Sequence, residues 1–244
     1  MHALELDESL GNAHNALAAT YLFFDWDWQQ ALVHSDKAVE LEPNNAEFHF
    51  FRAKVLFPTN RMEESLKEQE KATELDYFAR PFGMGYVLLT LRRYDDAATE
   101  LRTRLETLPA DARLHRMLSQ VYWHQGRKQD AGVELEQAAL LESDTPGKAA
   151  VRNAFEKGGY EGILRLQLMG LLGRIGHEYV SPLQVADQYA LLGNKEGAIH
   201  FLEEAYKERS PSLVWIQSWP WYDFIHSDSR YQNIVRQIGL PPAY

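Results

Sequence analysis

The chain has 244 residues, 45% apolar and 25% charged, globular proportions that argue against disorder. Lys plus Arg number 25 and Asp plus Glu 35, and the net charge of −10 argues against a nucleic-acid surface, which needs clustered cations. Cysteine is absent, which excludes disulfides, Cys-ligated zinc, iron–sulfur clusters and thiol nucleophiles. No run approaches the roughly 18 apolar residues that span a bilayer. The N-terminal MHALELDESLG carries acids where a signal peptide carries a basic region.

Residues 3–8, ALELDE, match AVELEP at 38–43, so residues 1–9 read as the tail of a preceding helix and the chain as a fragment of a longer array. From there helical patterning dominates, broken by short turns such as PNN, PTNR, LPAD and HQGR. Self-similarity organises it. Ala31, Ser65, Ala97 and Ala131 each sit near the start of a second helix, spaced by 34, 32 and 34 residues. Seven residues later come Ala38, Ala72, Arg104 and Ala138, two turns on along one face. Ala53, Gly85 and Ser119 lie twelve residues before the last three, and Ala18 lies thirteen before Ala31. Bulky residues follow three later, at Tyr21, Leu56, Leu88 and Tyr122, while Pro43 and Pro109 close two units. Four helix–turn–helix units therefore cover residues 10–143.

Residues 144–178 diverge from this spacing. SDTPGKAA reads as a turn and helix start capped by Asp144 or Thr145, GGY at 158–160 as a second turn, and GILRLQLMGLL as an apolar helix. The stretch is expected to be a degenerate helical pair within the stack, or a change in its direction. A fifth unit at 179–212 places Val185, Ala186 and Tyr189 against Ala198, Leu202 and Ala205, with Gly193 in the turn. Residues 213–244 carry Trp215, Trp219, Trp221, Tyr222 and Phe224, expected to plug the open end of the last unit rather than to stack a ligand. A last helix at about 229–238 is expected, capped by Ser227 or Asp228 and stopped by Gly239 and Pro241.

These positions resemble the tetratricopeptide repeat, a helix–turn–helix unit of 34 residues. The small residues let two helices approach closely, while large neighbours fill the space between pairs. There are departures: an extra residue in the DWDW turn of the first unit, a junction two residues short between the second and third, Arg104 at a small-residue position, and Tyr77 where the family prefers proline. The resemblance implies an all-α, right-handed superhelical array with a C-terminal helical cap. The sequence from YVSPLQVADQYALLGN to the SDSRYQNIVRQIGLPP ending is similar to C-terminal repeat regions of bacterial multidomain regulators, which follow winged-helix, kinase or cyclase domains. That implies a bacterial regulatory or signalling module in the cytoplasm, although a Cys-free chain suits the periplasm equally.

No GxSxG, HExxH or GxxxxGK[ST] pattern occurs, and Gly83 and Gly85 in FGMGYV lack the third glycine of a dinucleotide loop. His14, His49 and His115 share one repeat position, but equivalent positions on packed helices lie about 10 Å apart, too far for one ion. No enzyme, catalytic residue, cofactor or metal is expected. The resemblance implies instead that first helices line a groove for a peptide. Its positions map onto Asn15, Ala19 and Leu22, then Phe50, Lys54 and Phe57, then Phe82, Tyr86 and Leu89, then Arg113, Arg116, Gln120, Trp123 and His124. Phe50, Lys54, Phe82, Tyr86, Arg113, Arg116, Gln120, Trp123 and His124 are the expected contacts. Lys and Asn of the family's carboxylate clamp are replaced here by Asn15 and Ala19, which disfavours chaperone tails.

Residues 1–144 hold 15 basic and 25 acidic residues and carry the whole acidic surplus. A basic, aromatic groove on an acidic body suits an extended acidic and apolar peptide, with Arg113 and Arg116 on one helix face to hold a carboxylate. The chain is expected to be a monomer or weak dimer. The alternative reading is a small-molecule or signal sensor controlling an attached DNA-binding or kinase domain, with 144–178 as its pivot.

Overall fold

The computed structural model describes residues 9–77 and 83–240. In chain order the elements are α1 (Gly11–Thr20), a π-turn (Tyr21–Asp25), α2 (Trp28–Leu41), α3 (Ala46–Leu56), α4 (Met62–Leu75), α5 (Gly83–Thr90), α6 (Tyr94–Thr107), α7 (Ala112–His124), α8 (Lys128–Glu142), a kinked α9 (Thr145–Arg174), α10 (Pro182–Leu191), α11 (Lys195–Lys207), two 3-10 turns (Pro211–Trp215 and Pro220–Ile225) and α12 (Ser229–Gln237). The fold is an all-α array of tetratricopeptide-type helix pairs. It divides into two compact units: Met1–Val87 with Tyr206–Tyr244, and Leu88–Ala205.

Small residues sit where the two helices of a pair touch. Ala18, Ala31 and Ala38 are fully buried in the first pair, as are Ala131 and Ala138 in the fourth. In the second pair the Ser65 hydroxyl donates to the Ala53 carbonyl at 2.9 Å; in the fourth the roles reverse, Ser119 donating to Ala131 at 2.5 Å. A hydroxyl reaches a neighbouring helix's carbonyl in this way only when no larger side chain holds the two apart. Arg104 breaks the small-residue pattern and is still buried. Its guanidinium meets the Glu100 carboxylate one turn earlier at 2.7 Å, so a buried charge is paired.

The turns within pairs share one device. Asn60, Arg92, Gly126 and Gly193 are left-handed, with φ of 61°, 58°, 76° and 69°. This lets the N–H of Arg61, Arg93, Arg127 and Asn194 reach back to the carbonyls of Leu56, Leu88, Tyr122 and Tyr189. In the first pair the matching bond runs from Asp27 to Tyr21, six residues back instead of five, and Trp26 takes the left-handed place at φ 57°. The extra residue is absorbed by the π-turn at the end of α1. Helix starts are closed by Asp27, Asn45, Asp111, Asp144 and Asp228, whose side chains accept backbone N–H groups.

Recurring histidines tie the second and fourth pairs to their entry turns. His49 donates from Nε2 to the Pro43 carbonyl at 2.9 Å and faces Glu68 with Nδ1 at 2.7 Å. His115 repeats this with Pro109 at 3.0 Å and Glu134 at 2.6 Å. In the first pair the extra residue puts His34 in the glutamate's place, and His14 and His34 meet Nδ1 to Nδ1 at 2.9 Å.

In the second unit, α9 is two helical arms that meet at Gly159, where φ is 53° and ψ −136°. Only glycine occupies that region without strain. The arms cross so closely that a Cβ on Gly162 would stand 2.2 Å from the Ala154 carbonyl oxygen. α8 approaches the same turn through Gly132, whose Cβ would lie 3.1 Å from the Tyr160 nitrogen. In the pair α10–α11, Val185, Ala186, Ala198, Leu202 and Ala205 are fully buried.

Candidate functional site

The first helices of the first unit are α1 with its π-turn, α3 and the start of α5. Phe50 is buried on α3, and the Lys54 ammonium lies 4.6 Å from its ring centre one turn later. Phe57 is buried beyond them and stands edge-on to Tyr86 at 5.4 Å. Phe82 lies outside the described residues. Phe50, Lys54, Phe57 and Tyr86 thus belong to one aromatic surface.

That surface is occupied by the chain's own C-terminal segment. Trp215 stands edge-on to Phe23 of the π-turn at 5.5 Å, and its ring centre is 5.8 Å from Lys54 Nζ. Trp219 donates its indole N–H to the Tyr86 hydroxyl and stacks on Trp221 at 5.1 Å. Val214 shares one buried cluster with Ala18, Leu22, Ala31, Phe51 and Val55. Leu213, Ile216, Tyr222 and Ile225 are fully buried, whereas Phe224 remains 45% exposed. Asn15 Oδ1 and Trp215 Nε1 are buried with no hydrogen-bond partner among the described protein atoms.

In the second unit the expected contacts lie along α7 and divide into two sets. Trp123 stacks on Tyr160 at 4.4 Å, and His124 stacks on Tyr94 at 5.3 Å. Both rings therefore serve packing between neighbouring helices, and burial pushes the Tyr160 hydroxyl's pKa up. Arg113, Arg116 and Gln120 keep exposed or half-exposed side chains. The two arginines already have carboxylates. Arg113 meets Asp111 at 2.7 Å and holds that carboxyl below the usual range, while Arg116 pairs with Glu142. Arg113 and Glu142 also line an open depression with Leu108, Pro109 and Asp111. A peptide carboxylate reaching α7 must compete with side chains already in place.

Sequence reasoning named Phe50, Lys54 and Tyr86 as expected groove contacts but missed the segment that covers this surface. It also missed Phe23, Trp26 and Arg209, which hold the covering segment. The one signal was the extra residue in the first turn. Among the described residues no group of three His, Asp or Glu is placed to hold a metal ion, and no helix is long and apolar enough to cross a membrane.

The family described as tetratricopeptide repeat matches residues 82–149, which span α5 to the start of α9. A comparison with curated proteins gives no match. The matched repeat is that of a protein–protein interaction scaffold, in agreement with the helix pairs above.

Proposed function

We propose that the chain is a peptide-binding module that takes an extended acidic and apolar segment along the open side of α7, as the recognition part of a bacterial regulatory protein. The observation that carries this reading is the alignment of Arg113, Arg116 and Gln120 on one side of α7, accessible to solvent, while the matching face of the first unit is covered. Arg116 is the pivotal residue. Exchange of Glu142 for a peptide carboxylate keeps its charge paired, so binding replaces one ion pair with another and gains the apolar contacts beside it. Such binding weakens as salt rises, because the exchanged pair is at the surface.

Selection of a random displayed peptide library against the whole chain tests this. The enriched sequences should carry Asp or Glu beside apolar residues, lose binding to Arg116→Glu, and weaken between low and high salt. Enrichment that is indifferent to Arg116→Glu would remove α7 as the site.

A further inference from the structure

The first repeat holds the feature that sets it apart from the others. Its extra residue turns the end of α1 into the π-turn, and the Phe23 ring, the Phe24 carbonyl and the Trp26 ring at this turn are met by the C-terminal segment. The Phe24 carbonyl accepts from Arg209 Nη2 at 2.7 Å, and the Arg209 guanidinium lies 4.3 Å over the Trp26 ring. At the far end of the segment, Trp28 Nε1 donates to the Gly239 carbonyl at 2.8 Å. A π-turn costs regular hydrogen bonding and persists where the displaced backbone meets something specific. Here it acts as a clasp for residues 209–239.

Between those two anchors the segment crosses the first-helix face as two 3-10 turns, which Val214, Trp215 and Trp219 join to that face through their side chains. We propose that this face is an aromatic-reading surface whose resident occupant is the chain's own residues 211–222. The partner that competes for it is a peptide that repeats this segment, able to form the same two turns, with apolar residues in place of Leu213, Val214 and Ile216, an aromatic residue in place of Trp215, and Trp-Pro in place of Trp219 and Pro220. The second position requires tryptophan because its indole N–H meets the Tyr86 hydroxyl. The first does not, because Trp215 Nε1 is buried without a partner and only its ring makes contacts. A phenylalanine there keeps the edge-on contact with Phe23 and removes the orphaned donor. The resident is therefore an imperfect ligand, retained by its tether. The proposal rests on the repeats being an interaction surface, but it uses residues of the first unit and none of α7, so Arg116→Glu leaves it untouched.

The test uses the whole chain and fluorescein-labelled synthetic peptides of residues 209–226, read by anisotropy. The tethered resident has an effective concentration of about 1 mM, so the unmodified chain should bind the peptide only weakly. Releasing both anchors with Arg209→Ala and Trp28→Phe should tighten binding at least about tenfold, a difference of about 1.4 kcal/mol. The Trp215→Phe peptide should then bind more tightly than the native sequence, and the Trp219→Phe peptide less. If the anchor variant loses its helical circular dichroism, Trp219→Phe in the chain takes its place, since it removes the bond to Tyr86 and leaves both anchors intact. Absence of binding at about 1 mM peptide to whichever variant stays folded overturns the proposal. So does an unchanged affinity across the three peptides.

Discussion

The kink in α9 makes opposite predictions for glycines four residues apart. Gly162 faces the other arm, and an added Cβ would stand 2.2 Å from the Ala154 carbonyl oxygen, well inside contact distance. The obstacle is backbone, so the two arms must move apart. Overpacking of this kind costs about 1–3 kcal/mol. Gly158 has nothing within 4 Å of its Cβ position and carries no positive φ, so alanine there gains up to about 1 kcal/mol of helix propensity. Gly162→Ala should therefore lower Tm by several degrees while Gly158→Ala leaves it equal or higher, at about 2–4 °C per kcal/mol for a chain this size. Thermal and urea melts followed by circular dichroism read both. Equal stabilities, or a Gly162→Ala protein more stable than the parent, would refute the crossing of the arms.

Three further substitutions test other parts of the packing. Arg104→Ala and Arg104→Met both take the guanidinium from Glu100, but only alanine also leaves a cavity; Arg104→Ala should cost about 3 kcal/mol in urea melts, and Arg104→Met about half of that. Burial, and then the neighbouring His14, lower the pKa of His34 from its ordinary 6.5, so the unfolded chain takes up that proton first. The stability it supports is present above about pH 6.5 and is lost as pH falls toward the lower folded value; His34→Gln should flatten that part of a stability–pH profile. Trp26→Gly relaxes a left-handed backbone worth about 1 kcal/mol but loses the stack with Tyr206 and Arg209. The net should be a destabilisation of about 2 kcal/mol, with faster hydrogen exchange in residues 209–215.

The helix pairs are legible in the sequence because their signal is local. Ala31 and Ala38, or Ala131 and Ala138, must be small wherever the array goes, so spacing alone reveals them. Even the irregular first turn leaves a trace, since Ala18 stands thirteen residues before Ala31 instead of twelve. What the aromatic segment touches is a different kind of information. Trp215 meets Phe23 and Lys54 across more than 160 residues of chain, and no periodic pattern encodes a partner at that separation. The basic character of α7 fades for a related reason. Arg113 and Arg116 are visible as cations, but Glu142, which neutralises Arg116, is 26 residues away on another helix.

The extent of burial in the C-terminal segment bears directly on whether it can exchange. Leu213, Val214, Ile216 and Ile225 are at most 1% exposed, and each such side chain is worth about 1.5–3 kcal/mol against water. Together they come to about 6–12 kcal/mol, as much as the roughly 8 kcal/mol of a whole micromolar peptide complex. A partner that covered only the tryptophan positions would therefore never displace the segment. A partner that repeats the segment recovers the same burial, so the large terms cancel between the two occupants. The tether favours the resident, and its unsatisfied Trp215 N–H favours the newcomer. Those two small terms decide the exchange, which makes the clasp at Arg209 and Trp28 the point where occupancy of this face is controlled.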